Sequence, residues 1–92
     1  MAESDDGRLS ARELSEAALS TVEDLTGHSA EAVTGLEWDD ELWEVTVDVL
    51  ELARVPNTTD VMATYAVQLD ARGTLRGYRR TGRYVRGQVD GR

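Results

Sequence analysis

Five arginines and two tyrosines crowd one short segment near the end of the chain: Arg76, Tyr78, Arg79, Arg80, Arg83, Tyr84 and Arg86. A guanidinium is planar, forked and permanently charged, so it grips carboxylates and phosphates through paired hydrogen bonds. A neighbouring tyrosine adds apolar contact area with a polar tip. Three kinds of work suit such a segment. It can meet an acidic protein surface, it can hold phosphates and stack bases, or it can keep an exposed sheet edge soluble and unpaired. The formal net charge of −8 repels a polyanion at long range, which weighs against nucleic acid. These seven residues are therefore assigned to binding a partner protein, with nucleic acid as the alternative.

Catalytic and metal chemistry find little to work with. His28 is the only histidine and there is no cysteine, so neither a Cys-His pair nor a tetrahedral zinc site can be assembled. His28 falls just past a helix end, where an imidazole meets the last carbonyls. The acids Glu37, Asp39, Asp40 and Glu41 lack the spacing of a calcium loop and read as a solvated turn. Gly73, Gly77, Gly82 and Gly87 are strung along a strand pattern, whereas a phosphate loop joins a strand to a helix. Asn57-Thr58-Thr59 matches a glycosylation acceptor in form only, because nothing directs the chain to a secretory route. No catalytic residue, metal or cofactor is assigned, and the expectation is a protein that is not an enzyme.

The elements that must position the arginines are legible in the periodicity. Ser10 and Glu13 form a capping box, with Leu9 placed as a hydrophobic staple for Leu14. A helix over 11–26 follows, with Leu14, Ala18, Val22 and Leu25 as its apolar stripe and Gly27 as its C′ residue. The period then changes to two. Trp43, Val45, Val47 and Val49 alternate with Glu44, Thr46 and Asp48, as a half-buried antiparallel strand requires. A shorter strand over 33–38 precedes it, and a two-residue turn at Asp40-Glu41 sets Trp38 opposite Trp43 and Leu36 opposite Val45. Gly35 interrupts that strand and marks a bulge.

The segment 54–60 holds the only proline among turn formers and is a connection. Beyond it Val61, Ala63, Tyr65, Val67 and Leu69 face one way and Met62, Thr64, Ala66 and Gln68 the other. A three-residue hairpin at Ala71-Arg72-Gly73, with Gly73 left-handed, opposes Leu69 with Leu75. The arginine segment becomes the last strand, over 74–85. The fold class is α+β: one N-terminal amphipathic helix packed on a four-stranded antiparallel meander sheet, its apolar stripe on the valine face of the second strand.

Length and charge bound the rest. A chain of 92 residues holds one small domain, read here as 9–86 between an acidic disordered tail at 1–8 and a flexible end at 87–92. Residues 1–53 carry 15 acids against 2 arginines, and residues 54–92 carry 3 acids against 8 arginines. That division predicts an acidic side and a basic side, unless strand order scatters the charges over the surface. No stretch matches a membrane span or signal peptide, and the lack of cysteine suits a reducing cytosol.

A resemblance runs from about Leu36 to Arg86. Its elements are Trp43-Glu44-Val45-Thr46-Val47-Asp48-Val49-Leu50-Glu51, Arg54-Val55-Pro56, Asp60-Val61-Met62-Ala63-Thr64-Tyr65, Val67-Gln68-Leu69-Asp70, Gly73, Gly77-Tyr78-Arg79-Arg80 and Arg83-Tyr84. In this order they resemble the gas vesicle protein O family. The helix matches in type alone. The resemblance implies an accessory or assembly role, in the cytoplasm, beside the small hydrophobic protein that forms the vesicle wall. It implies other gas vesicle proteins, shell or accessory, as partners. A wall subunit must turn apolar surface to gas, whereas this chain is 30% charged. A regulatory role in vesicle production is the alternative, and no helix-turn-helix supports direct DNA reading.

Overall fold

The computed structural model describes residues 7–87. Helix α1 spans Ala11–Thr26. Ser10 Oγ accepts from the Glu13 amide at 3.2 Å and Glu13 Oε1 accepts from the Ser10 amide at 2.8 Å, so two of the free N–H groups of the first turn are satisfied reciprocally. Gly27 ends the helix at φ 76, its N–H donating to Glu23 O. Just before the helix start, the Leu9 N–H donates to Ala71 O at 2.8 Å and its side chain packs on the core.

Leu14, Ala18 and Val22 are fully buried, but Leu25 is 44% exposed. This corrects the expected stripe. Each step of four residues advances about 40° around a helix, so the line from Leu14 through Ala18 and Val22 to half-buried Thr26 winds around α1 as it crosses the twisted sheet. By the last turn Leu25 has been left behind that line.

Four strands follow: β1 (Ser29–Trp38), β2 (Trp43–Leu52), β3 (Val61–Leu69) and β4 (Leu75–Val85). They form one antiparallel sheet in the order β1-β2-β3-β4, so β1 and β4 are its edges. β1 begins four residues earlier than its alternation implies, because unpaired Glu31 and Thr34 shift the register twice and scramble the pattern. The second of these bulges adjoins Gly35, as expected. Trp38 faces Trp43 with ring centroids 5.3 Å apart, and Asp40 carries the turn at φ 82.

The β3–β4 hairpin has Leu69 opposite Leu75, with Gly73 at φ 87. A Cβ at Gly73 would also stand 2.5 Å from Leu9 Cδ1, so both backbone conformation and packing require glycine there. Asp70 Oδ1 accepts from the Arg72 and Thr74 amides, and those donors hold its carboxyl below the ordinary value. Between β2 and β3 the loop contains a short 3₁₀ turn, Asn57–Thr59.

The core lies between α1 and one face of the sheet. Val45, Val47, Val49, Ala63, Val67 and Leu69 are all at 0% exposure there, packed with Leu14, Ala18 and Val22. α1 starts at the β3–β4 turn and runs diagonally to the start of β1, packing over β1, β2 and β3. Residues 1–6 of the expected acidic tail and 88–92 of the expected loose end lie outside the described residues.

Candidate functional site

The arginine segment is an edge strand, as its composition suggests, but its side chains do not share one surface. Two bulges in β4, at Arg76 and Thr81, reset the alternation. Opposite residues of an antiparallel pair point to the same side. Tyr78 lies opposite Val67, Arg80 opposite Tyr65 and Arg83 opposite Ala63, so these three emerge on the side of α1. Arg79 opposite Ala66 and Tyr84 opposite Met62 emerge on the helix-free side. Arg86 lies past the end of β4.

Nearly every one of these side chains lies back across the sheet. Arg79 reaches to within 4.0 Å of Glu44, and Tyr84 Oη donates to Asp48 Oδ2 at 2.8 Å while Thr64 Oγ1 donates to Asp48 Oδ1 at 3.0 Å. On the other side Arg80 Nη1 donates to Glu51 Oε2 at 3.1 Å. Arg83 Nε stands 2.8 Å from Glu51 Oε1 without the alignment of a hydrogen bond, so that contact is an ion pair and the oxygen has no hydrogen-bond partner. Glu44, Asp48 and Glu51 all belong to β2, two strand spacings or roughly 10 Å from β4. Only long side chains span that gap, and β3 supplies Ala63, Thr64 and Ala66 beneath them. Tyr78 instead stacks near Tyr65, centroids 6.1 Å apart.

These straps explain an unexpected burial. Met62 and Ala66 face away from α1, yet they are 2% and 5% exposed. The residues opposite them on β4 are Tyr84 and Arg79, whose aromatic and aliphatic stems lie on the same side as Met62 and Ala66 while their polar ends find acids. Desolvation, followed by the hydrogen bond to Asp48, raises the Tyr84 hydroxyl above its ordinary value.

A third cluster closes the end of the sheet. Asp60 is buried at 4% exposure; its Oδ1 accepts from the Arg54 amide at 2.7 Å and its Oδ2 from Arg86 Nε at 3.0 Å. The fork of Arg86 continues to both oxygens of Glu31, at 3.1 and 2.9 Å, and Glu31 is the first of the two bulged residues of β1. Glu31 and then Asp60 raise the Arg86 guanidinium above its ordinary value. The Gly87 amide donates to Thr58 O at 2.7 Å, fixing the chain as it leaves the sheet.

The acidic and basic halves of the sequence are therefore interleaved, which corrects the expectation of an acidic side and a basic side. An acid of the first half answers each of Arg79, Arg80, Arg83 and Arg86, while Arg76 lies 4.0 Å from Asp70. Sequence reasoning missed Glu31, Asp48, Glu51 and Asp60 as the residues that position the arginines. One signal was present: Glu51 continues the core parity of Val45, Val47 and Val49, where a charge needs a partner.

The other candidates stay apart. His28 is half-buried with its amide donating to Thr26 Oγ1, and Asp39 Oδ1 accepts from the Leu42 amide within the β1–β2 turn. Among the described residues there is no pocket, and no group of three or more His, Cys, Asp or Glu is placed to hold a metal. No helix there is long and apolar enough to cross a membrane.

Comparison with known proteins bears directly on this strapped sheet. A family described as "Gas vesicle synthesis protein GvpO" matches residues 1–90. Gas vesicle protein O of Streptomyces sp. (strain CB03234) is 52% identical over 67 residues, 73% of this chain and 52% of that protein. Gas vesicle protein O1 of Halobacterium salinarum is 37% identical over 67 residues, 73% of this chain and 56% of its own. The chain thus spans about half the length of these relatives. No solved structure matches. On the family match, which takes in α1 and every strand, the chain belongs to the gas vesicle synthesis protein GvpO family.

Proposed function

We propose that the protein is a non-enzymatic accessory factor in gas vesicle assembly, working in the cytoplasm and binding shell or other accessory vesicle proteins through β4. The observation that carries the process is the family match over residues 1–90. What supports β4 as the binding element is its place at a sheet edge, with Arg76, Arg79, Arg80 and Arg83 side chains 46–64% exposed even while paired. A paired arginine retains donors for a second carboxylate. Nucleic acid is disfavoured, because each strap brings a carboxylate against the surface that phosphates would have to approach.

The test is complementation in a vesicle-producing host lacking its own copy, with vesicles scored by microscopy. The variant replaces Arg79, Arg80 and Arg83 with glutamine in a Glu51→Gln background, so that the largely buried Glu51 carboxylate is not left orphaned, while Glu44, freed of Arg79, is exposed enough to stay solvated. Vesicle formation should fall while circular dichroism shows a folded protein. Lysine at the same positions should rescue only in part, because it keeps the charge and loses the fork. Normal vesicles in the glutamine strain would remove β4 from the function.

A further inference from the structure

One part of the sheet is left open by its own helix. Four strands span roughly 14–19 Å, and a helix with its side chains covers about 10–12 Å. Because α1 runs diagonally from the β3–β4 turn toward β1, the uncovered part widens along β4. Tyr65, Tyr78, Val61 and Val85 lie in it, all on the side of α1 and none fully buried. Leu52, opposite Val61, continues it at 46% exposure.

Its charge is specific as well. Among the described residues, Arg80 and Arg83 both pair with Glu51, so two guanidiniums share one carboxylate here. The Glu51 side chain is 14% exposed while the arginines are 46% and 55% exposed. The carboxylate therefore sits beneath two guanidiniums that face outward, and its Oε1 lacks a hydrogen bond. On the helix-free side Arg79 has Glu44 and Tyr84 has Asp48.

We infer that this wedge, an aromatic and apolar strip edged by Arg80 and Arg83, docks an acidic amphipathic helix of a partner protein alongside α1. The proposal rests on the assembly reading above and assigns the partner's shape and the side of β4 it uses. Strand addition to β4 suits the edge poorly, because bulges at Arg76 and Thr81 break the ladder that an added strand must follow. A helix needs no ladder; it needs an apolar strip for one face and cations for its flank. A second copy is a poor occupant, since its only described helix already buries its apolar face in its own core.

The experiment places a photoreactive amino acid at Tyr78 in one variant and at Thr64, on the helix-free side, in another. Each full-length chain is expressed in the vesicle-producing host and irradiated, and the adducts are identified by mass spectrometry. The expected result is an adduct to a vesicle protein at position 78 and little at 64, with the linked peptide acidic and helical in pattern. Arg80→Glu with Arg83→Glu in the Glu51→Gln background should reduce that adduct severalfold, and Gln68→Glu, on the helix-free side, should leave it. An adduct at 64 that Arg79→Glu abolishes would overturn the wedge while keeping β4 as the binding element. So would an adduct to a second copy or to a basic or strand-forming peptide, and no vesicle adduct at either position would overturn both readings.

Discussion

The half of the sheet under α1 and the half under the side chains of β4 both exclude water, by different means. Beneath α1 the covering layer is apolar, and Val45, Val47 and Val49 meet Leu14, Ala18 and Val22 with no polar partner involved. On the helix-free side the covering layer is Arg79 and Tyr84, lying over Ala66 and Met62 and tethered to Glu44 and Asp48. Apolar burial scales with area and is not weakened by the screening of charges. A strap works only while both its ends are ionised or hydrogen-bonded, and its exposed pairs weaken as salt rises. The first layer is suited to holding the fold, and the second is the one that salt loosens.

The sharpest way to break this comparison is Val47→Asp, which puts an unpaired charge in the helix-covered core. It should cost more than about 4 kcal/mol and leave the domain largely unfolded by circular dichroism. A variant that melts with the parent would mean that α1 does not hold the fold.

The end cluster stands between the two regimes, because Asp60 is buried but answered by a cation. Asp60→Ala removes the acceptor of the Arg54 amide and of Arg86 Nε. It should cost about 2–3 kcal/mol in urea denaturation, the scale of hydrogen bonds to a charged group. A loss below 1 kcal/mol would place Asp60 among the surface pairs.

Arg79→Gln should have the smallest effect. Its pair with Glu44 is 4.0 Å long and exposed, so the change in urea stability should be within about 1 kcal/mol and should shrink further in high salt. A larger, salt-resistant loss would show that the stem over Ala66 matters more than the charge.

What the sequence disclosed depended on whether a signal was local. The capping box at Ser10 and Glu13, the alternation through Val45, Val47 and Val49, and the Gly73 hairpin each rest on neighbouring residues, and each is found. The start of β1 was hidden because two bulges, at Glu31 and Thr34, destroy the period that would reveal it. Leu25 was misplaced because a straight stripe ignores the winding of contact across a twisted sheet. The pairs Arg79 with Glu44 and Arg83 with Glu51 join strands that are not neighbours, and their geometry depends on bulges at Thr81 and Glu51 that composition does not mark. The seven arginines and tyrosines proposed for binding are legible in the sequence as one segment, but the division of the strand's side chains between two sides needs the register.

The contact of Arg86 with Glu31 joins residues 55 positions apart. The three hairpins of the meander are short-range and can close early, whereas this latch must wait until the whole sheet has been laid down. During synthesis it becomes available only after β4 has emerged, so a growing chain can already have its helix and earlier hairpins while this latch remains undone. An interaction made that late contributes little to the rate of folding. Its weight falls on the rate of opening, which sets how long a finished molecule endures before it unfolds.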